Sequence, residues 1–136
     1  MVKLKKMLQR FPSWSFSVFT LLVILWLTLA PKPLGDEAPV LFPGADKIVH
    51  GIMFGFLVMM ILLDIQRKTG WVKTGWVTML IVAAISSFFG IMIEFAQLNM
   101  NMGRGFETSD MAADAIGAFS LGIVWELCQH LWIDPS

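Results

Sequence analysis

The sequence predicts an all-α fold: an integral membrane bundle of four transmembrane helices with both termini in the cytoplasm. Three observations carry that expectation. The 136-residue chain is 57% hydrophobic and only 15% charged, with a mean hydropathy of +0.72; a soluble domain of this size has no interior large enough to hide such a surplus. The apolar residues gather into four segments near the ~20 residues needed to cross a bilayer. The basic residues fall unevenly between the two sets of loops. The length supports one domain over residues 1–136.

The first segment, residues 14–30, lies in an uncharged stretch from Phe11 to Pro31 and stops at Pro31 and Pro33, which cannot continue a helix. Lys3, Lys5, Lys6 and Arg10 precede it, as in a secretory signal. The uncharged stretch is long for a signal core, and cleavage after Ala30 would leave proline first, so a retained helix is expected. The second segment, 47–64, is interrupted only by His50, and the third, 75–97, carries no charge until Glu94. The fourth, 109–132, has the shortest uncharged part, 115–125. It crosses only with Asp114 and Glu126 near the two interfaces; the alternative is a re-entrant hairpin. Pro31, Pro33, Pro39 and Pro43 mark the connection between the first two segments as an extended loop.

Four spans put the N-terminal tail and the 66–73 loop on one side, with Lys3, Lys5, Lys6, Arg10, Arg67, Lys68 and Lys73. The other side holds Lys32, Lys47 and Arg104. Positively charged loops stay inside, so both termini are expected in the cytoplasm. Trp14, Trp71, Trp76, Trp125 and Trp132 then lie near the inner interface and Trp26 near the outer one, where indole rings partition.

Composition also excludes. Ten basic and ten acidic residues cancel, leaving no electrostatic footprint for nucleic acid. Cys128 is alone, so neither an internal disulfide nor a multi-cysteine metal cluster can form.

This topology gathers polar residues at the outer face. Asp46, Lys47 and His50 open the second segment, Glu94 and Gln97 close the third, and Arg104, Glu107, Asp110 and Asp114 lead into the fourth. Asp46 and His50, four apart, share a helix face. Ala83, Ser87, Gly90, Glu94 and Gln97 form a small-and-polar stripe on the third segment, and Asp110, Asp114, Gly117 or Ala118, and Gly122 another on the fourth. Small residues at that spacing let helices approach closely in lipid, so the stripes are expected to face one another and turn Glu94 and Asp114 inward. The first segment lacks such a stripe and is expected at the periphery.

Plainer roles stand beside these. Gly51 and Gly55 read as packing, Asp110 as a helix-start residue or a ligand, and Glu94 with Arg104 as a structural ion pair. Asp64 and Glu126 read as solvated helix termini, and the ten methionines as packing or lipid-facing side chains. The cluster as a whole remains notable, because a carboxylate within a membrane segment is costly and marks a functional site by default.

At these residues the chain resembles the VanZ-like family, founded on a teicoplanin-resistance protein. The resemblance rests on a proline after the first segment followed by Asp-Lys-x-x-His-x-x-x-Phe (Asp46, Lys47, His50, Phe54), on Glu-x-x-Gln (Glu94, Gln97), and on Arg104 followed by Asp110, Asp114 and Gly117. It covers nearly the whole chain beyond the N-terminal tail. Asp114 departs from the asparagine common at that place, adding a possible negative charge. The resemblance implies a multi-pass protein of the bacterial plasma membrane linked to glycopeptide susceptibility; no reaction follows from it.

Two functions compete. In the first, a non-enzymatic site in the outer leaflet binds a membrane lipid, a lipid-linked molecule or a lipopeptide-like amphiphile. Lys47, His50 and Arg104 meet phosphate or carboxylate there, and Glu94 and Asp114 meet amines, with Asp46, Gln97 and Asp110 completing the ligand set. In the second, a membrane-embedded enzyme acts on a lipid or lipid-linked cell-wall precursor, with Glu94 and Asp114 as acid and base and His50 as proton shuttle or metal ligand. No nucleophile lies near His50 in sequence and no standard zinc signature is present, which favours binding. A divalent cation on Glu94, Asp110 and Asp114 is the one cofactor the residue types suggest. Transport would require a homo-oligomer, since the inner half offers few polar groups to continue a path.

Overall fold

The computed structural model describes residues 1–30, 42–100 and 107–133, and among these every regular element is helical. The helices are α1 (Val2–Leu8), α2 (Ser15–Leu29), α3 (Ala45–Lys68), α4 (Trp76–Met100) and α5 (Thr108–Cys128), the last continued by a single 3₁₀ turn, Gln129–Leu131. The second, third and fourth predicted segments correspond to α3, α4 and α5. The re-entrant alternative for the fourth does not occur, because α5 runs unbroken.

Among the described residues, three helices are long and apolar enough to cross a membrane: α3, α4, and α5 with its 3₁₀ turn. The chain is therefore a multi-pass membrane protein. The 24 residues of α3 reach about 36 Å at the α-helical rise. α2 is equally apolar, but its 15 residues reach about 22 Å, short of the ~30 Å hydrocarbon core. α1 was not foreseen. Its Lys5 ammonium lies 5.7 Å from the ring centre of Trp71, a cation–π contact between the N-terminal tail and the α3–α4 connection.

Contacts between helix ends give the directions. Ser17 near the start of α2 meets Asp64 near the end of α3, whereas Thr28 and Gln97 join the ends of α2 and α4. Lys47 and Asp110 join the starts of α3 and α5. Successive helices thus alternate in direction. Phe54, Leu57, Val58, Leu62, Met79, Val82 and Ala83 form the centre of the apolar core, while Phe19, Val77, Phe88 and Ile116 project outward, as lipid-facing side chains do.

The tightest seam joins α3 to α5 at Gly51 and Gly117. A Cβ on Gly117 would lie 2.5 Å from the Gly51 Cα and closer still to its carbonyl. Only glycine permits that approach. The seam holds His50 and Asp114 at one depth, since they flank it in sequence.

At the Arg67 end the structure corrects the sequence reading. Asp64 and Glu126 are buried, not solvated. Asp64 pairs with the Arg67 guanidinium and accepts from the backbone N–H and hydroxyl of Ser17, at 2.8 and 2.7 Å. Ser17 occupies the third position of α2, so Asp64 caps that helix from across the bundle, satisfying an orphan donor at the positive end of the dipole. Arg67 also donates to the Phe11 carbonyl at 2.7 Å, which fixes the approach to α2. Glu126 accepts from Thr74 Oγ1 at 2.6 Å and Gln129 Nε2 at 2.7 Å, and Gln66 donates to Gln129 Oε1 at 3.0 Å. These buried groups join α3, α5 and the connection before α4.

Two smaller corrections concern helix faces. α2 does present an inward stripe, Thr20, Ile24 and Thr28, although both threonine hydroxyls bond back to their own helix. On α4 it is Ser86 that is buried; Ser87 is half-buried and donates to the Ala83 carbonyl.

Candidate functional site

Because α3 and α5 run parallel and α4 antiparallel to both, the start of α3, the end of α4 and the start of α5 meet at one end of the bundle. There His50 Nδ1 lies 3.0 Å from Asp114 Oδ1, with both residues buried. An ionised Asp114 makes Nδ1 the donor and leaves Nε2 as the remaining nitrogen. Gly90 on α4 makes this possible: a Cβ there would lie 2.5 Å from Asp114 Oδ2 and 3.0 Å from its Cβ. The glycine therefore serves as the recess that receives the Asp114 carboxylate, a role beyond close packing.

Glu94 is 1% exposed. Its Oε2 accepts from the Glu107 backbone N–H at 3.3 Å, and its Oε1 is buried without a hydrogen-bond partner among the described residues. One donor atom each from His50, Glu94 and Asp110 lie within 4.8 Å of one another. The structure thus brings His50, Glu94, Asp110 and Asp114 together. The sequence reading joined Glu94, Asp110 and Asp114 as potential cation ligands; here the third member of the set is His50, and Asp114 stands behind it.

Lys47 occupies the surface above this cluster. Its Nζ lies 2.7 Å from Glu107 Oε2, 3.2 Å from Asp110 Oδ1 and 3.5 Å from Asp46 Oδ2. The ammonium holds the Glu107 carboxyl below the usual carboxylate range. Glu107 immediately precedes α5 and was not among the expected ligands; its position three residues before Asp110 was the available signal. Asp46 is exposed at the rim. Gln97 departs from the expected site: it donates to the Thr28 carbonyl at 2.7 Å, binding α4 to the end of α2. Arg104 and its expected pairing with Glu94 lie outside the described residues.

Along the lipid-facing side of the α3–α5 seam runs an open groove of about 420 Å³. Ile48, Ile52, Ile116 and Leu121 line it, the glycines of the seam form its floor, and Lys47 stands at its polar end. Polar chemistry at one end and an apolar trough below match the two parts of an amphiphile.

No family model, curated protein or solved structure matches this chain.

Proposed function

We propose that this is a VanZ-like protein of the bacterial plasma membrane, with four spans, both termini cytoplasmic, and an outer-face site that binds the headgroup of an envelope lipid or lipopeptide-like amphiphile. α2 supplies the fourth span, its short length met by local bilayer thinning and flanking residues at the interface. The seven basic residues of the N-terminal tail and the 66–73 loop, against three on the other side, support the orientation.

The observation that carries the binding function is the buried group formed by His50, Asp114 and Glu94. A bundle held together only by packing has no use for a carboxylate oxygen without a partner at membrane depth, where each unmet polar atom costs about 1–3 kcal/mol or more. The adjoining groove accepts the tail. Modulation of teicoplanin or lipoglycopeptide susceptibility is the phenotype that the family resemblance adds.

Glu94→Gln keeps size and hydrogen bonding while removing charge. It is expected to leave membrane insertion at near-normal levels and to abolish any susceptibility change caused by overexpression. Lipids retained by the purified protein, identified by mass spectrometry, should fall with Glu94→Gln and with Ile116→Trp, which fills the groove. Unchanged retention in both variants refutes the binding site.

A second function is favoured by the His50–Asp114 pair. A histidine oriented by a buried aspartate beside a third carboxylate is an acid–base arrangement, and it would serve an enzyme acting on a lipid-linked precursor. The discriminating result is a lipid returned chemically altered.

A further inference from the structure

We propose that His50, Glu94 and Asp110 bind a single divalent transition-metal ion of the zinc or manganese class, with Asp114 as the residue that orients the histidine. The proposal deepens the headgroup-binding function of the same site, and it rests on four features of the cluster.

The first is distance. Donor atoms that all lie within 4.8 Å of one another can share an ion at ordinary bond lengths of about 2.0–2.4 Å with small side-chain rotations. The second is the unpartnered Glu94 Oε1, in a side chain only 1% exposed. An ion supplies the partner that no described side chain or backbone group does.

The third is orientation. Metal-bound histidines almost always donate their other ring N–H to a carboxylate or carbonyl, which fixes the tautomer and raises basicity. The Asp114 Oδ1–His50 Nδ1 contact at 3.0 Å suits that arrangement: with Nδ1 donating to an ionised Asp114, Nε2 is the nitrogen that would bind the ion. A histidine used only for packing has no need of a buried carboxylate set into a glycine recess.

The fourth is charge. Among the described residues, this end carries Asp46, Glu94, Glu107, Asp110 and Asp114 against Lys47 and His50. Lys47 is already engaged by Asp46, Glu107 and Asp110. Those same three carboxylates form the other cluster with metal-like spacing, and the ammonium among them accounts for it. Among the described residues, no ammonium or guanidinium sits between Glu94 and His50. An imidazole with two carboxylates suits zinc or manganese, whereas magnesium and calcium prefer oxygen alone. Three protein ligands leave coordination positions open, and a phosphate or carboxylate oxygen of the headgroup can fill one. The ion thus provides the anion-binding centre that Lys47, held by its three acids, does not.

The test uses the full-length protein in detergent, stripped with a chelator and exposed separately to Zn²⁺, Mn²⁺, Mg²⁺ and Ca²⁺. Metal content after gel filtration, thermal unfolding, and lipid retained from vesicles containing phosphatidylglycerol and phosphatidylethanolamine are read on the same samples. One equivalent of zinc or manganese per chain is expected, with a rise in the unfolding midpoint. Glu94→Gln and His50→Ala should lose the equivalent. Asp114→Asn should bind about 10- to 100-fold more weakly, as outer-shell changes do. His130→Ala, altering the exposed histidine at the far end, should bind like the parent. The proposal is overturned by metal that survives Glu94→Gln and His50→Ala, by equal binding of Mg²⁺ or Ca²⁺, or by no retained metal. Lipid retention that persists in the chelated protein would overturn the ion's part while leaving headgroup binding intact. Stoichiometric metal without lipid retention in any sample would do the reverse.

Discussion

Gly117→Ala is the sharpest single test of the architecture, because one methyl group is set against backbone. The new Cβ would lie 2.5 Å from the Gly51 Cα, where ordinary contact begins near 3.4 Å, so the seam must open by about 0.9 Å and further at the Gly51 carbonyl. Backbone on both sides leaves no rotamer to yield. The cost is expected at the upper end of the overpacking range, about 3 kcal/mol, or roughly 100-fold in the folding equilibrium. Gly51→Ala provides an internal contrast on the same seam: its Cβ meets the Ala113 carbonyl at 3.3 Å, a contact that a few tenths of an ångström would relieve. Gly75→Ala meets nothing within 4 Å and should be near neutral. Reversible unfolding in mixed detergent–SDS micelles, followed by helical circular dichroism, should rank the losses Gly117 above Gly51 above Gly75. The damage should also reach the site, because opening the seam by 0.9 Å carries the 3.0 Å His50–Asp114 contact beyond hydrogen-bonding range. Loss of the Nδ1-protonated signature in ¹⁵N-histidine spectra would report that. Equal effects at Gly117 and Gly75, or a larger one at Gly51, would refute the α3–α5 register.

Asp64→Ala strands the buried Arg67 charge and uncaps α2, so a loss of about 3–5 kcal/mol is expected; Asp64→Ala with Arg67→Met should recover much of it in the same unfolding assay. Gly90→Ala should disturb the His50–Asp114 contact while leaving the α3–α5 seam closed, seen as a changed histidine spectrum with little change in unfolding. Lys47→Met should return the Glu107 carboxyl toward its ordinary range in an NMR titration. The sign is that of a depressed acid: the Lys47–Glu107 contribution is present above the carboxyl's ordinary pKa and disappears as pH falls through the lowered one, so the variant should lose that segment of the stability–pH profile. Reporter fusions after Lys73 and at the C-terminus should read as cytoplasmic, and fusions near Asp36 and Gly103 as external; an external C-terminus would mean that α5 does not cross, and an internal Asp36 that α2 does not.

Periodicity and length made most of the helices legible. Apolar runs bounded by prolines or charges placed α3, α4 and α5 within a few residues of their ends. Hydropathy placed α2 to within one residue at each end, 14–30 against Ser15–Leu29, but it could not show how the chain leading into that helix is held. Phe11 and Pro12 belong to that lead-in, and the carbonyls of both accept from the Arg67 guanidinium. The Arg67-end network was hidden for a related reason. Asp64 lies beside Arg67 and Lys68, and Glu126 beside the C-terminal turn, so each resembles an ordinary solvated terminus until its cross-bundle partners, Ser17 and Thr74, are known.

The opposite end was legible because its signal does not depend on partners. Glu94 and Asp114 stand inside apolar segments, each six residues from the nearest helix end, where any ionisable group requires explanation. What the spacing could not resolve was the division of labour among them. Asp110 and Asp114 share a face of α5, and the sequence offered them equally to Glu94; the packing separates them. Gly90 and the Gly51–Gly117 seam draw Asp114 inward against His50, while Asp110, nearer the surface, faces both Lys47 and the Glu94–His50 pair. The glycines, read as packing alone, therefore decide which carboxylate orients the histidine and which remains available to a ligand. If that division is correct, exchanging the two roles is unfavourable. Asp114→Asn, with its amide still able to accept from Nδ1–H, should weaken headgroup binding only through the histidine, whereas Asp110→Asn removes a direct ligand and should reduce it further. Lipid retention measured side by side in the two variants decides the point, and a greater loss in Asp114→Asn would show that Asp114, not Asp110, is the ligand.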